Sequence, residues 1–119
     1  MRKIFIIILL CFIFTAVNAL NKEMVYKELI RKNVPHPEIV LRQSLLETGN
    51  YKSKLCKSHN NLFGIKKGKK YKKYSHYSEC IADYKRLISS RYKGGCYYAF
   101  LLRIKYASDV NYINKLKRM

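Results

Sequence analysis

The chain has 119 residues, with 25 Lys and Arg against 7 Asp and Glu and a formal charge of +18 at pH 7. That length suffices for one compact domain and excludes a multi-domain machine. Such a field favours anionic partners (nucleic acid, lipid head groups or carboxylate-rich wall polymers) and governs encounter rates rather than fold.

Arg2 and Lys3 precede an apolar run from Ile4 to Phe14, and the stretch closes on Val17-Asn18-Ala19. A charged start, a short apolar middle and a small-residue ending predict a secretory signal over 1–19, cut after Ala19. The competing reading is an uncleaved anchor, since Ile4 to Val17 falls only a little short of a membrane span. Ile8-Leu9-Leu10-Cys11 lacks the small residue expected before a lipid-modified cysteine. Cleavage leaves a domain over 20–119. Because Arg2 and Lys3 go with the leader, the 25 basic and 7 acidic residues reduce to a mature charge of +16. Export to the periplasm or the extracellular space argues against nucleic acid and for an anionic cell-envelope surface as partner. Cys56, Cys80 and Cys96 remain, an odd number that allows at most one internal disulfide. Their spacing fits no zinc pattern, and His36, His59 and His76 are isolated, so no metal or other cofactor is expected. The mature chain is expected to be a monomer.

Val25, Tyr26, Leu29 and Ile30 recur at helical spacing and predict a first helix over Lys22 to Asn33. Val34-Pro35-His36-Pro37 breaks it, and Pro37 opens a second helix with Glu38 in its first turn. Ile39, Val40, Leu41, Leu45 and Leu46 cover most of that helix's circumference, which predicts a central core helix ended by Gly49. Asn50 to Phe63 reads as irregular. The run GIKKGKKYKKY, with six lysines between Lys66 and Lys73 and a central Gly68, predicts a short exposed β-hairpin. Ser78 is the expected cap of a third helix, with Glu79 in its first turn and Ile81, Tyr84, Leu87 and Ile88 following. Asp83 is expected on that helix's exposed face. Gly94-Gly95 stops it. A fourth helix follows over Cys96 to Lys105, and Asp109 caps a short last one holding Tyr112, Ile113 and Leu116. The class is α+β, mainly α: a small helical domain with one inserted β-hairpin.

Within LLETGNYKS, Glu47 follows two leucines at a helix end. An apolar flank raises a carboxyl's pKa by desolvation, and the negative end of the helix dipole works in the same direction. A pKa raised toward the working pH suits a general acid. The alternative is a solvated helix-end glutamate.

LRQSLLETGNYKS, NNLFGIK, YSHYSECIADY and YKGGCYYAFLLRIKYASDVNYINKL resemble, in order and spacing, the bacterial glucosaminidase domain of glycoside hydrolase family 73 over roughly residues 35 to 117. The resemblance implies a lysozyme-like domain that cleaves peptidoglycan glycan strands at N-acetylglucosaminyl bonds. It puts the family's catalytic glutamate on Glu47 and its Asn-Leu-Phe-Gly signature on Asn61, Leu62, Phe63 and Gly64. The tail Lys105-Tyr106-Ala107-Ser108-Asp109-Val110-Asn111-Tyr112 is similar to the family's Gly-Tyr-Ala-Thr-Asp-Pro-x-Tyr. Lys105 and Val110 replace the usual glycine and proline, which predicts a looser turn before the last helix.

Many relatives are expected to carry a second carboxylate on the hairpin, yet residues 64 to 78 contain no Asp or Glu. An inverting glycosidase needs its base roughly 6.5–9.5 Å from the acid, and a retaining one its nucleophile at about 5–5.5 Å. Glu79 is the nearest acid, read as base or as helix-start residue. The other route is substrate assistance by the sugar's acetamide, held by Tyr106, which reads equally as a core aromatic. Asn61 is expected to organise a turn, with Phe63 and Gly64 shaping the cleft floor. Tyr71, Tyr74 and Tyr77 either stack on sugars or pack the hairpin's inner side. Asn61, Phe63, Gly64, Tyr74, Tyr77 and Tyr112 are thus the expected substrate contacts, beside catalytic Glu47, Tyr106 and Glu79. A lytic transglycosylase, or a cationic wall-binding protein without catalysis, would share the fold.

Overall fold

A computed structural model of the chain describes residues 19–106 and 110–119. Residues 1–18 of the expected 1–19 leader and the expected cap at Asp109 lie outside them. The described elements are α1 (Lys22–Arg31), α2 (Pro37–Thr48), α3 (Lys54–His59), β1 (Lys66–Lys67), β2 (Lys70–Tyr71), α4 (Tyr77–Ser89), α5 (Tyr97–Arg103) and α6 (Val110–Arg118). The two strands pair antiparallel, with Lys66 opposite Tyr71 and Lys67 opposite Lys70. The structure is therefore mainly helical with a small hairpin, the class expected. None of the described helices is long and apolar enough to cross a membrane.

Asn21 caps α1 by accepting from the Met24 N–H at 3.0 Å. At its far end Asn33 takes φ 55, while Asn33 and Val34 donate to the carbonyls of Ile30 and Leu29. This is the Schellman arrangement, and asparagine tolerates its left-handed residue. The helix buries Val25, Glu28 and Leu29 and leaves Ile30 half exposed, so the expected apolar stripe is shifted by a charged residue. Glu28 stays ionised there because Arg31 donates to both of its oxygens, at 2.6 and 2.8 Å, and the Ser78 hydroxyl donates from the head of α4. The Arg31 bonds outweigh burial and bring the Glu28 carboxyl down to about 2.

Pro37 opens α2 as expected, but its buried face is Val40, Gln43, Ser44 and Thr48. Leu41, Leu45 and Leu46 are only partly buried, at the edges of the core. Polar residues are admitted because each finds a partner. Ser44 donates to the Leu41 carbonyl at 2.6 Å and Thr48 to the Ser44 carbonyl at 2.7 Å, while the Gln43 side-chain oxygen accepts from the Tyr84 hydroxyl at 2.6 Å.

The stretch expected to be irregular holds α3. Ser53 caps it, accepting from the Cys56 N–H at 3.1 Å, and Asn60 ends it at φ 49. Six residues are too few to show a hydrophobic period, so only the cap was there to be read. At α4 the cap is His76 rather than Ser78: its ring Nδ1 accepts from the Ser78 N–H, leaving the Ser78 hydroxyl for Glu28. Glu79 does sit in the first turn, where it accepts from the Ser75 backbone N–H and hydroxyl. Asp83 is not exposed: it is 8% accessible and receives Lys72 Nζ at 2.8 Å, the Tyr74 hydroxyl at 2.6 Å and the Arg86 guanidinium.

Leu29, Leu62, Ile81, Tyr84, Phe100 and Leu101 are essentially inaccessible and form the centre of the core. Each such aliphatic or aromatic side chain contributes about 1.5–3 kcal/mol by leaving water. Among the described residues Cys56, Cys80 and Cys96 are free, with Cys56 and Cys80 buried and Cys96 exposed.

Candidate functional site

Glu47 occupies the last turn of α2, directly before a turn of unusual hand. Gly49, Asn50 and Tyr51 take φ 55, 59 and 65 in succession. The left-handed region is open to glycine, tolerable for asparagine and unfavourable for a bulky aromatic. Tyr51 is held there by its own helix. Its N–H donates to the Thr48 hydroxyl at 2.9 Å, and its phenol meets the Ser44 hydroxyl at 2.8 Å. The chain leaving Glu47 is thus fixed by side chains one turn earlier in the helix that presents it.

The opposite wall is built by Asn61, which is fully buried. Its oxygen accepts from the Ile65 N–H at 3.0 Å, and its amide donates to the carbonyls of Ile65 and Lys72, both at 2.9 Å. One side chain therefore ties both arms at the hairpin's base. Between those bonds, Gly64 turns with φ 67. A Cβ on Gly64 would lie 3.5 Å from Glu47 Oε2 and 3.9 Å from the Tyr71 ring. Glycine here meets the backbone sign, while the carboxylate stands at ordinary contact distance from where a side chain would begin.

The third side comes from the C-terminal part of the chain. α5 ends with Lys105 at φ 59, Lys105 donating to the Leu102 carbonyl and Tyr106 to the Leu101 carbonyl, both at 3.1 Å. The expected looser turn before α6 runs on through 107–109, outside the described residues, but its start is a closed Schellman turn. That start aims the Tyr106 hydroxyl at the Phe63 carbonyl, to which it donates at 2.7 Å. From α6, which packs against α2, the Tyr112 hydroxyl bonds to Glu47 and interacts with Gln43.

These parts enclose a cleft of about 340 Å³, lined by Glu47, Phe63, Gly64, Ile65, Lys66, Leu87 and Tyr106. Glu47 is open to solvent on one side and crowded by the cleft on the other. That burial raises its pKa above the usual carboxylate range, partly offset by the Tyr112 bond. The apolar flank in the cleft is Phe63, Ile65 and Leu87, whereas the adjacent Leu45 and Leu46 pack on the core.

Of the residues singled out in the sequence, Glu47, Phe63, Gly64 and Tyr106 meet in the cleft, and Tyr112 bonds to its carboxylate. The others do not line it. Asn61 lies wholly beneath the wall it organises, and the Tyr74 hydroxyl is taken by Asp83. Tyr77 stacks on His76 at the head of α4, where Glu79 is exposed and bonded to Ser75. Lys66, Leu87 and Gln43 escaped notice. Lys66 looked like one more solvated lysine, and Gln43 carries only the weak signal of lying four residues before Glu47.

A protein-family profile described as mannosyl-glycoprotein endo-beta-N-acetylglucosaminidase matches residues 22–119. Comparisons with curated proteins and with solved structures return no match.

Proposed function

The chain belongs to the glucosaminidase family, and from that premise we propose that it is an exported peptidoglycan hydrolase that cleaves N-acetylglucosaminyl bonds with Glu47 as general acid. One observation carries the reading: a carboxyl with a raised pKa faces an open cleft and is bonded by a tyrosine hydroxyl rather than by a cation. A protonated Glu47 delivers its proton to the glycosidic oxygen as the bond to C1 breaks.

Among the described residues Glu47 is the one acid lining the cleft, so the electron pair that replaces the leaving group is assigned to the substrate's own acetamide oxygen. The Tyr106 hydroxyl donates a hydrogen bond to the Phe63 carbonyl, which leaves its oxygen free to accept the acetamide N–H and orient the group. Water then opens the resulting ring, Glu47 takes its proton, and a reducing N-acetylglucosamine end with retained configuration is released. Glu79 keeps its place at the start of α4.

The single acid also suits a lytic transglycosylase, in which a sugar hydroxyl replaces water and leaves an anhydro-muramyl end. Mass spectrometry of the muropeptides released by the chain beginning at Leu20 distinguishes the two. A reducing N-acetylglucosamine end, lost in Glu47→Gln at unchanged melting temperature, is the expected result. Anhydro-muramyl ends would select the transglycosylase, and undiminished turnover in Glu47→Gln would refute the acid.

A further inference from the structure

Gln43 stands one turn before Glu47 on α2, and side chains four apart share a helix face. It is fully buried. Its oxygen accepts from the Tyr84 hydroxyl at 2.6 Å, and Tyr84 in turn meets the Tyr97 hydroxyl at 2.6 Å. A phenol has one proton to give. With the Tyr84 proton on Gln43, Tyr97 is the donor of the second bond. The two tyrosines thus hold the amide with its oxygen toward α4 and its nitrogen turned away.

That nitrogen is buried and makes no full hydrogen bond among the described residues. Leaving an amide donor idle in a core is costly, and such a group calls for an explanation. The explanation lies on α6, which packs against α2 and carries Tyr112. Tyr112 interacts with Gln43 and bonds to Glu47, so one hydroxyl lies between the idle donor and the carboxylate. Bonds around a catalytic group are often slack until the reacting complex forms. As Glu47 loses its proton, its charge draws the Tyr112 proton toward it. The phenol oxygen then becomes a better acceptor for the Gln43 N–H, because linked hydrogen bonds polarise one another.

We propose that Gln43 is a positioning residue for Glu47: its amide nitrogen, aimed by Tyr84 and Tyr97, backs the Tyr112 hydroxyl and steadies the carboxylate left when the proton has gone to the glycosidic oxygen. The inference rests on the general-acid reading above and extends it to a residue outside the cleft lining, which acts only through Tyr112. Lys66 and Tyr106 are the other titratable groups lining the cleft, and the basic residues of α6 lie in its last turn. From α1, Tyr26 meets Glu38 at the far end of α2. All of these stay in place in the variants that test the proposal.

The test is the titration of Glu47 itself, followed by carbon NMR in the exported chain labelled at its glutamate carboxyls. The Glu47 signal is identified by its loss in Glu47→Gln. Gln43→Met removes the donor at similar volume and is expected to raise the proton affinity of Glu47 about two- to tenfold, the range of a single hydrogen bond. Tyr84→Phe keeps the ring but frees the amide to turn, and should move Glu47 in the same direction. In a Tyr112→Phe background neither substitution should move it further. A Gln43 that merely fills the core would lower the melting temperature and leave the Glu47 midpoint in place, which overturns the proposal. A fall in proton affinity would do the same, since it would mean that the amide oxygen faces Tyr112. So would shifts that persist without the Tyr112 hydroxyl. Should Gln43→Met fail to fold, Tyr84→Phe decides alone. The titration needs no turnover, so a wild-type chain that cleaves no glycan would refute the hydrolase reading and leave this result intact.

Discussion

Two crowded carboxylates, Glu47 in the cleft and Asp83 behind the hairpin, have opposite fates. Burial penalises the charge of each. At Asp83 that penalty is overcome by Lys72, Tyr74 and Arg86, which together bring the carboxyl down to about 2. At Glu47 the bond that opposes burial comes from the Tyr112 hydroxyl, and the pKa stays raised. In a chain with 25 basic residues, keeping a carboxyl's pKa raised depends less on hiding it than on keeping cations from bonding it. Glu28 repeats the Asp83 pattern with Arg31 and Lys32. Structural and reactive acids are separated here by their partners.

The largest expected effect contrasts the two directly. Glu47→Gln should cost at least about 10²-fold in glycan turnover with an unchanged melting temperature, the usual scale of general-acid catalysis. Asp83→Asn should do the reverse, costing about 1–3 kcal/mol in denaturant unfolding because Lys72, Tyr74 and Arg86 lose a buried charged acceptor, with the exposed Arg86 contributing least. Equal losses of stability in the two variants would erase the distinction.

A pH titration sharpens it. Glu28 and Asp83 have folded-state pKa values of about 2, below their unfolded values. Their stabilisation is fully present above the unfolded pKa and is lost as the folded carboxylates take up protons, between about pH 5 and pH 2. The melting temperature should fall through that window, and Asp83→Asn should flatten the fall. A wild-type curve flat from pH 5 to 2 would contradict both assignments. A smaller shift is expected from Tyr112→Phe. Losing a bond that favours the ionised form raises the Glu47 pKa, so the alkaline limb of kcat/KM should move to higher pH; a move to lower pH would reverse the assigned role. The smallest effect concerns Lys105. Glycine there should add about 0.5–1 kcal/mol in thermal unfolding by removing the left-handed strain. No gain would mean that the lysine sits there without strain.

Much of this was legible beforehand because it is local. Pro37 and Gly49 bound α2, Gly94-Gly95 separates α4 from α5, and Glu47 stands out as an acid at a helix end. What stayed hidden depends on residues distant in sequence. Asp83 looked solvent-facing by helical period, and only the return of the hairpin brings Lys72 and Tyr74 to it. Glu28 is buried because Ser78, fifty residues on, reaches it. His76 displaced Ser78 as a cap for the same reason. The cleft residues Phe63, Gly64 and Tyr106 were found through a motif, since neither propensity nor period marks a glycine that turns at φ 67 between two bonds of a buried asparagine.

The left-handed turn after Glu47 sets two selection criteria against each other at position 51. Backbone preference alone would choose glycine or asparagine for φ 65. Side-chain chemistry asks for a phenol, to bury a ring and reach the Ser44 hydroxyl. Tyrosine meets the second demand and contradicts the first. A scoring scheme built on local conformation would therefore mark Tyr51 as an error, and repairing it would loosen the helix end that carries the proposed acid.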